Sequence, residues 1–124
     1  MKATIVILSD PKSGSEEALG RVFNALAVAY DYKQAGADIA IQFQGAGTRW
    51  IAELARTEHP AYELFQAVVD KVEGASCGCA DVFGASDDVV KNGFDLIKDN
   101  PVPGTSGLSS FYRLQKEGRQ ILTF

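Results

Sequence analysis

The chain has 124 residues, of which 46% are hydrophobic and 23% charged, and its formal net charge is −4. This length and composition are typical of one globular domain with its own hydrophobic core. The excess of acidic residues excludes a strongly basic binding face, so we expect neither a nucleic-acid partner nor a polybasic contact with a membrane.

The chain opens with a continuous apolar run over residues 3–8 (ATIVIL), which predicts a central strand covered on both faces. Six apolar residues are too few for a secretory signal or a membrane span. We therefore expect a cytoplasmic protein with no membrane partner, in which thiols stay reduced.

The next segment predicts a helix and a second strand. Ser13 and Glu16 have the spacing of a capping box, and apolar residues then recur every three or four positions to near Gln34. Gly36 is predicted to end this helix, and residues 37–43 (ADIAIQF) predict the second strand. A strand, a helix of this length and a second strand make the two strands parallel.

The middle of the chain predicts a turn, two helices and a short strand. Thr48 is predicted to cap a helix over residues 49–56, and a further helix begins at Pro60. Gly74 is predicted to end that helix, and residues 75–77 predict a third strand.

Strands and helices continue to alternate towards the end of the chain. The remaining predicted elements are a helical turn, a helix, a strand, a helix and a strand, over residues 80–83, 87–92, 94–97, 108–117 and 119–124. This alternation predicts a single α/β domain over residues 1–124, with three α/β/α layers and a mostly parallel sheet of about five strands.

Both cysteines lie in one segment, residues 75–84 (ASCGCADVFG), where the third strand meets a helix predicted to start at Ala80. A helix start favours thiolate over thiol, so Cys79 is the preferred candidate for a reactive thiol. Cys77 is a secondary candidate that we expect to face the sheet. Two small buried residues, or a Cys-x-Cys redox couple, fit the same pattern.

We predict neither a metal site nor a cofactor. The two cysteines and the single histidine, His59, supply at most three metal ligands, and no fourth ligand is marked. Residues 9–15 form the loop where flavodoxin-like folds hold a phosphate, but Asp10 would repel that group and the loop lacks a GK[ST] sequence. A helix-capping loop is the preferred interpretation, and a flavin carrier is the alternative.

The turn after the second strand is a candidate for binding an anion. Gly45 and Gly47 permit close approach of a ligand to the backbone, and Thr48 and Arg49 begin the next helix. The third glycine of a dinucleotide fingerprint is missing. A tight strand-to-helix turn with Arg49 on the surface therefore fits these residues as well.

Three segments resemble the DsrE/DsrF-like family: residues 43–50 (FQGAGTRW), 79–85 (CADVFGA) and 117–124 (EGRQILTF). The order of elements agrees over nearly the whole chain. The resemblance implies an α/β/α domain that assembles as a homo-oligomer. In members that relay sulfur, a cysteine at the end of the third strand takes up sulfur as a persulfide and passes it to a partner protein. Cys79 holds that position, whereas Ser76 stands where relatives carry a second cysteine.

Two hypotheses for the function follow. The first is a sulfur-relay protein that takes sulfane sulfur from a donor protein onto Cys79 and gives it to an acceptor protein. The second is a non-catalytic module that binds a small molecule or an anion, or that serves in an assembly, with structural cysteines.

Overall fold

Five parallel strands form the centre of the computed structural model, which describes all 124 residues. In chain order they are β1 (Lys2–Ile7), β2 (Asp38–Phe43), β3 (Val72–Ser76), β4 (Leu96–Ile97) and β5 (Gln120–Thr123). They lie in the order β4-β3-β2-β1-β5, and every neighbouring pair is parallel. The predicted α/β fold with a five-stranded parallel sheet is confirmed.

Six α-helices connect the strands: α1 (Glu16–Gln34), α2 (Trp50–Leu54), α3 (Tyr62–Val68), α4 (Cys77–Val82), α5 (Ser86–Lys91) and α6 (Phe111–Lys116). The chain crosses the sheet from β1 to β4 and then returns beyond β1 to β5. Because such crossovers are right-handed, α1 to α5 cover one face of the sheet and α6 covers the other. None of these helices has the length and apolar character that crossing a bilayer needs.

The main core lies between the sheet and the layer of α1 to α5. Side chains alternate between the two faces of a strand, and those of β1 and β2 that face these helices join one buried apolar cluster. Its largest fully buried members are Phe43, Phe65, Ile5, Ile7, Leu26, Ile41, Ile51 and Leu54.

The opposite face of the sheet carries a buried polar network. The Nε2 of Gln42 donates to Glu73 Oε2 at 3.0 Å, and its Oε1 accepts from Gln44 Nε2 at 3.0 Å and from Ser109 Oγ at 2.6 Å. Arg113 of α6 donates to Glu73 Oε1 at 3.2 Å. The network therefore ties α6 and the segment before it to the sheet.

Asp99 and Glu117 complete the attachment of α6. Asp99 accepts hydrogen bonds from the amide of Ser110 and from the guanidinium of Arg113, which also pairs with Glu117. Burial acts to lower the pKa of Arg113, but its hydrogen bonds to Asp99 and Glu117 outweigh burial and raise that pKa. The cation therefore stays charged although it is partly covered.

The prediction that Gly74 ends a helix is wrong. The helix α3 ends at Val68, a 3₁₀ turn covers Val69–Lys71, and Gly74 lies inside β3. Its φ is +148°, and a Cβ at this position would lie 2.3 Å from the carbonyl oxygen of Asp95. Glycine is therefore required here by the close approach of the neighbouring chain segment, a contact that local periodicity does not encode.

The prediction that Ser13 caps the start of α1 is also wrong. Ser15 is the N-cap, and its Oγ accepts from the amide of Ala18 at 3.1 Å. Ser13 instead belongs to a 3₁₀ turn, Pro11–Ser13, whose start is capped by Asp10 through the amide of Lys12. Ser13 has the capping-box spacing to Glu16 and Ser15 has Ala18 at that distance, so the spacing rule favours the wrong serine.

Candidate functional site

Both cysteines lie in the first turn of α4, at the carboxyl end of β3. The helix begins at Cys77, so the predicted start at Ala80 is wrong by three residues. The strand ends at Ser76, and the amide of Gly78 donates to the carbonyl of Gly107 at 2.7 Å. This contact with a distant loop holds the chain in helical geometry directly after the strand.

Cys77 is buried and contacts the loop before α6, and its facing the sheet stays a prediction. Its Sγ lies 3.3 Å from Ser106 Oγ, within hydrogen-bond distance. Ser106 also bonds to Oδ2 of Asp81, whose Oδ1 accepts from Ser86 Oγ at 2.7 Å. The hydrogen bonds from Ser106 and Ser86 lower the pKa of Asp81. An anionic sulfur at Cys77 would therefore share a hydroxyl group with a carboxylate.

Cys79 is a free, half-buried thiol on a different side of α4. Residues two apart on a helix point about 200° from each other, so Cys79 points away from Ser106 and Asp81. It shares its side of the helix with Phe83, four residues later. The two thiols therefore have separate surroundings, and the Asp81 carboxylate belongs to those of Cys77.

Arg49 is held in place beside Phe83. Its Nη1 donates to both carboxylate oxygens of Asp10, at 3.2 and 3.1 Å, and its Nε donates to the Phe83 carbonyl at 3.0 Å. The guanidinium carbon also lies 5.3 Å from the centre of the Phe83 ring. Arg49 therefore joins the loop after β1 to the end of α4, and its guanidinium has protein partners rather than a free position on the surface.

The other anion-site candidates form a 3₁₀ turn, Gly45–Arg49, after β2. Thr48 does not cap the next helix as predicted: its Oγ1 donates to the carbonyl of Gly45 at 2.9 Å, and α2 begins at Trp50. At Gly47, a Cβ would lie 2.1 Å from the carbonyl oxygen of Ile7. The turn packs tightly on β1, and binding of an anion there stays a prediction.

A cleft of about 290 Å³ opens beside α4, lined by Gly78, Asp81, Val82, Gly104, Thr105 and Ser106. Ser106 separates this cleft from the sulfur of Cys77. Sequence reasoning missed Ser106 and Asp81, because their contact joins positions 25 residues apart and neither belongs to a recognisable motif.

His59 lies away from the cysteines. Its Nδ1 accepts from the amide of Ala61 at 3.0 Å, and its ring packs edge-on against Trp50. Burial lowers the pKa of His59, which favours the neutral imidazole. No three side chains of the types His, Cys, Asp and Glu are grouped so that they could hold a metal ion.

We expect oxidation to leave Cys77 and Cys79 without a disulfide between them. A disulfide needs Cβ atoms about 3.5–4.5 Å apart that face each other, whereas these side chains point to different sides of one helix turn. Mass spectrometry of intact and digested protein after treatment with diamide shows whether a Cys77–Cys79 disulfide forms. Loss of two hydrogens from the peptide that contains both cysteines would contradict the expectation, and Cys77→Ser is the matched control.

The fold is shared with a solved structure from Bacteroides thetaiotaomicron, described as the conserved protein of unknown function BT1422. The two are 21% identical, with a TM-score of 0.65 over 99% of this chain and 94% of that chain. No curated protein matches the sequence. The sequence profile of the DsrE/DsrF-like family matches residues 1–124, and the chain therefore belongs to the DsrE/DsrF-like family.

Proposed function

We propose that the protein carries sulfane sulfur as a persulfide on Cys79 and passes it to an acceptor protein. The family to which the chain belongs is related to sulfur relay, which supports this role. The observation that carries the proposal is the position of Cys79, a free and partly exposed thiol in the first turn after β3. Cys77 is buried beneath Ser106 and is the secondary candidate.

Uptake of sulfur is a nucleophilic displacement that needs no added oxidant. The thiolate of Cys79 attacks the outer sulfur of a donor persulfide, a new S–S bond forms, and the donor thiolate leaves with the electron pair of the broken bond. With thiosulfate as the donor, sulfite is the leaving group. Transfer to an acceptor thiolate repeats the same step, and it returns Cys79 to the thiolate.

The surroundings of Cys79 suit a thiol that acts alone. The amides in the first turn of a helix lack partners within the helix and favour an anion nearby. Ser76, at the position where relatives carry a second cysteine, is fully buried, and its Oγ accepts from the amide of Ser109 at 3.1 Å. The proposed relay therefore involves no exchange of sulfur between Cys79 and position 76.

Partner proteins would approach Cys79 beside the exposed side chain of Val82. Val82 is three residues after Cys79 on α4, and 76% of it is exposed. Tyr112 lies on α6, and 74% of it is exposed. An exposed aromatic side chain of this size supports the expected homo-oligomer. The donor and acceptor are proposed to be thiol-bearing proteins that contact α4.

We expect the wild-type protein to gain the mass of one sulfur atom after incubation with thiosulfate or polysulfide. Intact mass spectrometry, with and without a reductant that removes sulfane sulfur, measures the gain. The gain should survive in Cys77→Ser and disappear in Cys79→Ser, because only Cys79 presents its sulfur to a donor.

The matched pair of serine variants identifies the carrier residue, and the wild-type protein decides between the two functional hypotheses. A gain that follows Cys77 instead of Cys79 would overturn the assignment of the carrier residue. No gain in the wild-type protein with any donor would favour the alternative, a binding or assembly module in which both cysteines are structural.

A further inference from the structure

At one position in the sheet, the helical connections of two neighbouring strands lie on opposite faces. From β1 the chain leaves through α1 over one face, while β5, the other neighbour in this part of the sheet, is reached through α6 on the opposite face. In open α/β sheets, ligands bind outside the carboxyl ends of the strands, and the carboxyl ends of β1 and β5 are neighbours here. The cysteines lie at the end of β3, so this position is separate from them.

The largest cleft of the molecule lies at this position. Its volume is about 440 Å³, within the range of small-molecule sites, and residues that follow β1 and end β5 contribute to its walls. The amide of Leu8 donates to the carbonyl of Phe124 at 2.8 Å, and the amide of Phe124 donates to Val6 at 2.9 Å. These bonds fix the two strand ends that border the opening.

Part of the lining of the cleft is apolar. Leu8, Ala18 and Phe124 form this part, and Leu8 is 44% exposed although it directly follows the buried residues 3–7 of β1. An exposed leucine beside a phenylalanine at the mouth of a crevice offers a surface for a flat apolar group. Hydrophobic contact with a ring would therefore contribute to binding.

The lining of the cleft also carries hydroxyl groups. Ser9, Ser15 and Thr123 line the cleft. The Oγ of Ser9 accepts from Trp50 Nε1 at 3.2 Å, and the Oγ of Ser15 accepts from the amide of Ala18 at 3.1 Å. Hydroxyl groups that already accept a hydrogen bond keep a proton to donate to a polar ligand.

The charges around the cleft disfavour an anionic ligand. Arg21 is the cation in its lining, and its Nη2 already pairs with Glu17 Oε1 at 2.6 Å. Glu16 lies next to Glu17 in the first turn of α1 and adds a further negative charge. A phosphate group in the cleft would meet the Glu17 carboxylate and a cation that is already paired with it.

We propose that this cleft binds a small uncharged molecule with a flat apolar ring and several hydroxyl groups, of the kind that a nucleoside represents. The ring packs on Leu8 and Phe124, and the hydroxyl groups bond with Ser9, Ser15 and Thr123. The Glu17–Arg21 pair supplies one further acceptor and donor at the rim.

Adenosine is the probe that tests the proposal. Titration into ¹⁵N-labelled protein should shift the amide signals of Leu8, Ala18 and Thr123 in a saturable way. Thr123→Tyr places a bulky side chain in the cleft and should weaken binding at least tenfold. Gln120→Tyr, on the same strand at its opposite end, should leave the affinity unchanged.

A second variant and a second ligand complete the test. Leu8→Ser removes part of the apolar lining without adding bulk, and it should weaken binding several-fold while the unfolding midpoint shows that the protein is folded. Adenosine monophosphate should bind more weakly than adenosine, because its phosphate meets the Glu17 carboxylate. Absence of saturable shifts, unchanged affinity in both cleft variants, or tighter binding of the monophosphate would overturn the proposal.

Discussion

Gly47→Ala is expected to lower the free energy of unfolding by about 3 kcal/mol, at the upper end of the costs of overpacking. The added Cβ would lie 2.1 Å from the carbonyl oxygen of Ile7 and 2.8 Å from its carbonyl carbon. That oxygen accepts from the amide of Gln44 at 3.0 Å. Relief of the clash therefore requires separation of two backbone segments that a hydrogen bond holds together.

Urea denaturation followed by circular dichroism measures the effect, which corresponds to a midpoint lower by about 1.5 M for a protein of this size. Gly20→Ala is the matched control. Gly20 lies within α1, has no heavy atom within 4 Å of an added Cβ, and has no positive φ. We expect the free energy of unfolding of that variant to rise by about 0.5–1 kcal/mol, because alanine is a better helix former than glycine. Equal stability of the two variants would contradict the packing argument.

Gln42→Leu is expected to lower the free energy of unfolding by a comparable amount, about 3 kcal/mol, because it leaves several buried polar groups without partners. Gln42 is fully buried, and its side chain bonds with Glu73, Gln44 and Ser109. Leucine fills similar space but satisfies none of these groups. Hydrogen exchange should also quicken over residues 104–110, since Ser109 loses its bond to the sheet.

Thr4→Val is the matched control on the same face of the sheet. Thr4 is also fully buried, yet its Oγ1 has no hydrogen-bond partner. Replacement of an unpaired hydroxyl group by a methyl group should leave the free energy of unfolding unchanged or raise it by about 1 kcal/mol. Loss of stability in Thr4→Val would show that the Thr4 hydroxyl group has a partner after all. Little loss in Gln42→Leu would show that the network does not attach α6 as described.

The elements that follow from local pattern agree best with the structure. The apolar run at residues 3–8 became β1, and the predicted helix that ends near Gln34 became α1, although α1 begins at Glu16, later than the predicted Ser13 cap implied. Both depend on residues close in sequence, where alternation or a period of 3.6 residues records burial directly. The alternation of strands and helices also predicted the parallel sheet. The family resemblance came instead from three sequence segments, and the match over residues 1–124 confirms it.

The details of the candidate site could not be predicted because distant contacts determine them. The start of α4 at Cys77 depends on a bond between Gly78 and Gly107, and the burial of Cys77 depends on Ser106. Arg49 could be recognised as a cation in a glycine-rich turn, but not as a residue already paired with Asp10, 39 positions away. Composition and periodicity carry no information about such pairs.

The separation of the two thiols on α4 has a kinetic consequence for the proposed relay. A persulfide on Cys79 has no thiol of its own chain positioned to resolve it, since Cys77 points to another side of the helix beneath Ser106. Discharge is then a bimolecular reaction, and its rate rises in proportion to the concentration of the acceptor protein. The loaded protein would persist on dilution and act as a store of sulfur whose lifetime the acceptor sets.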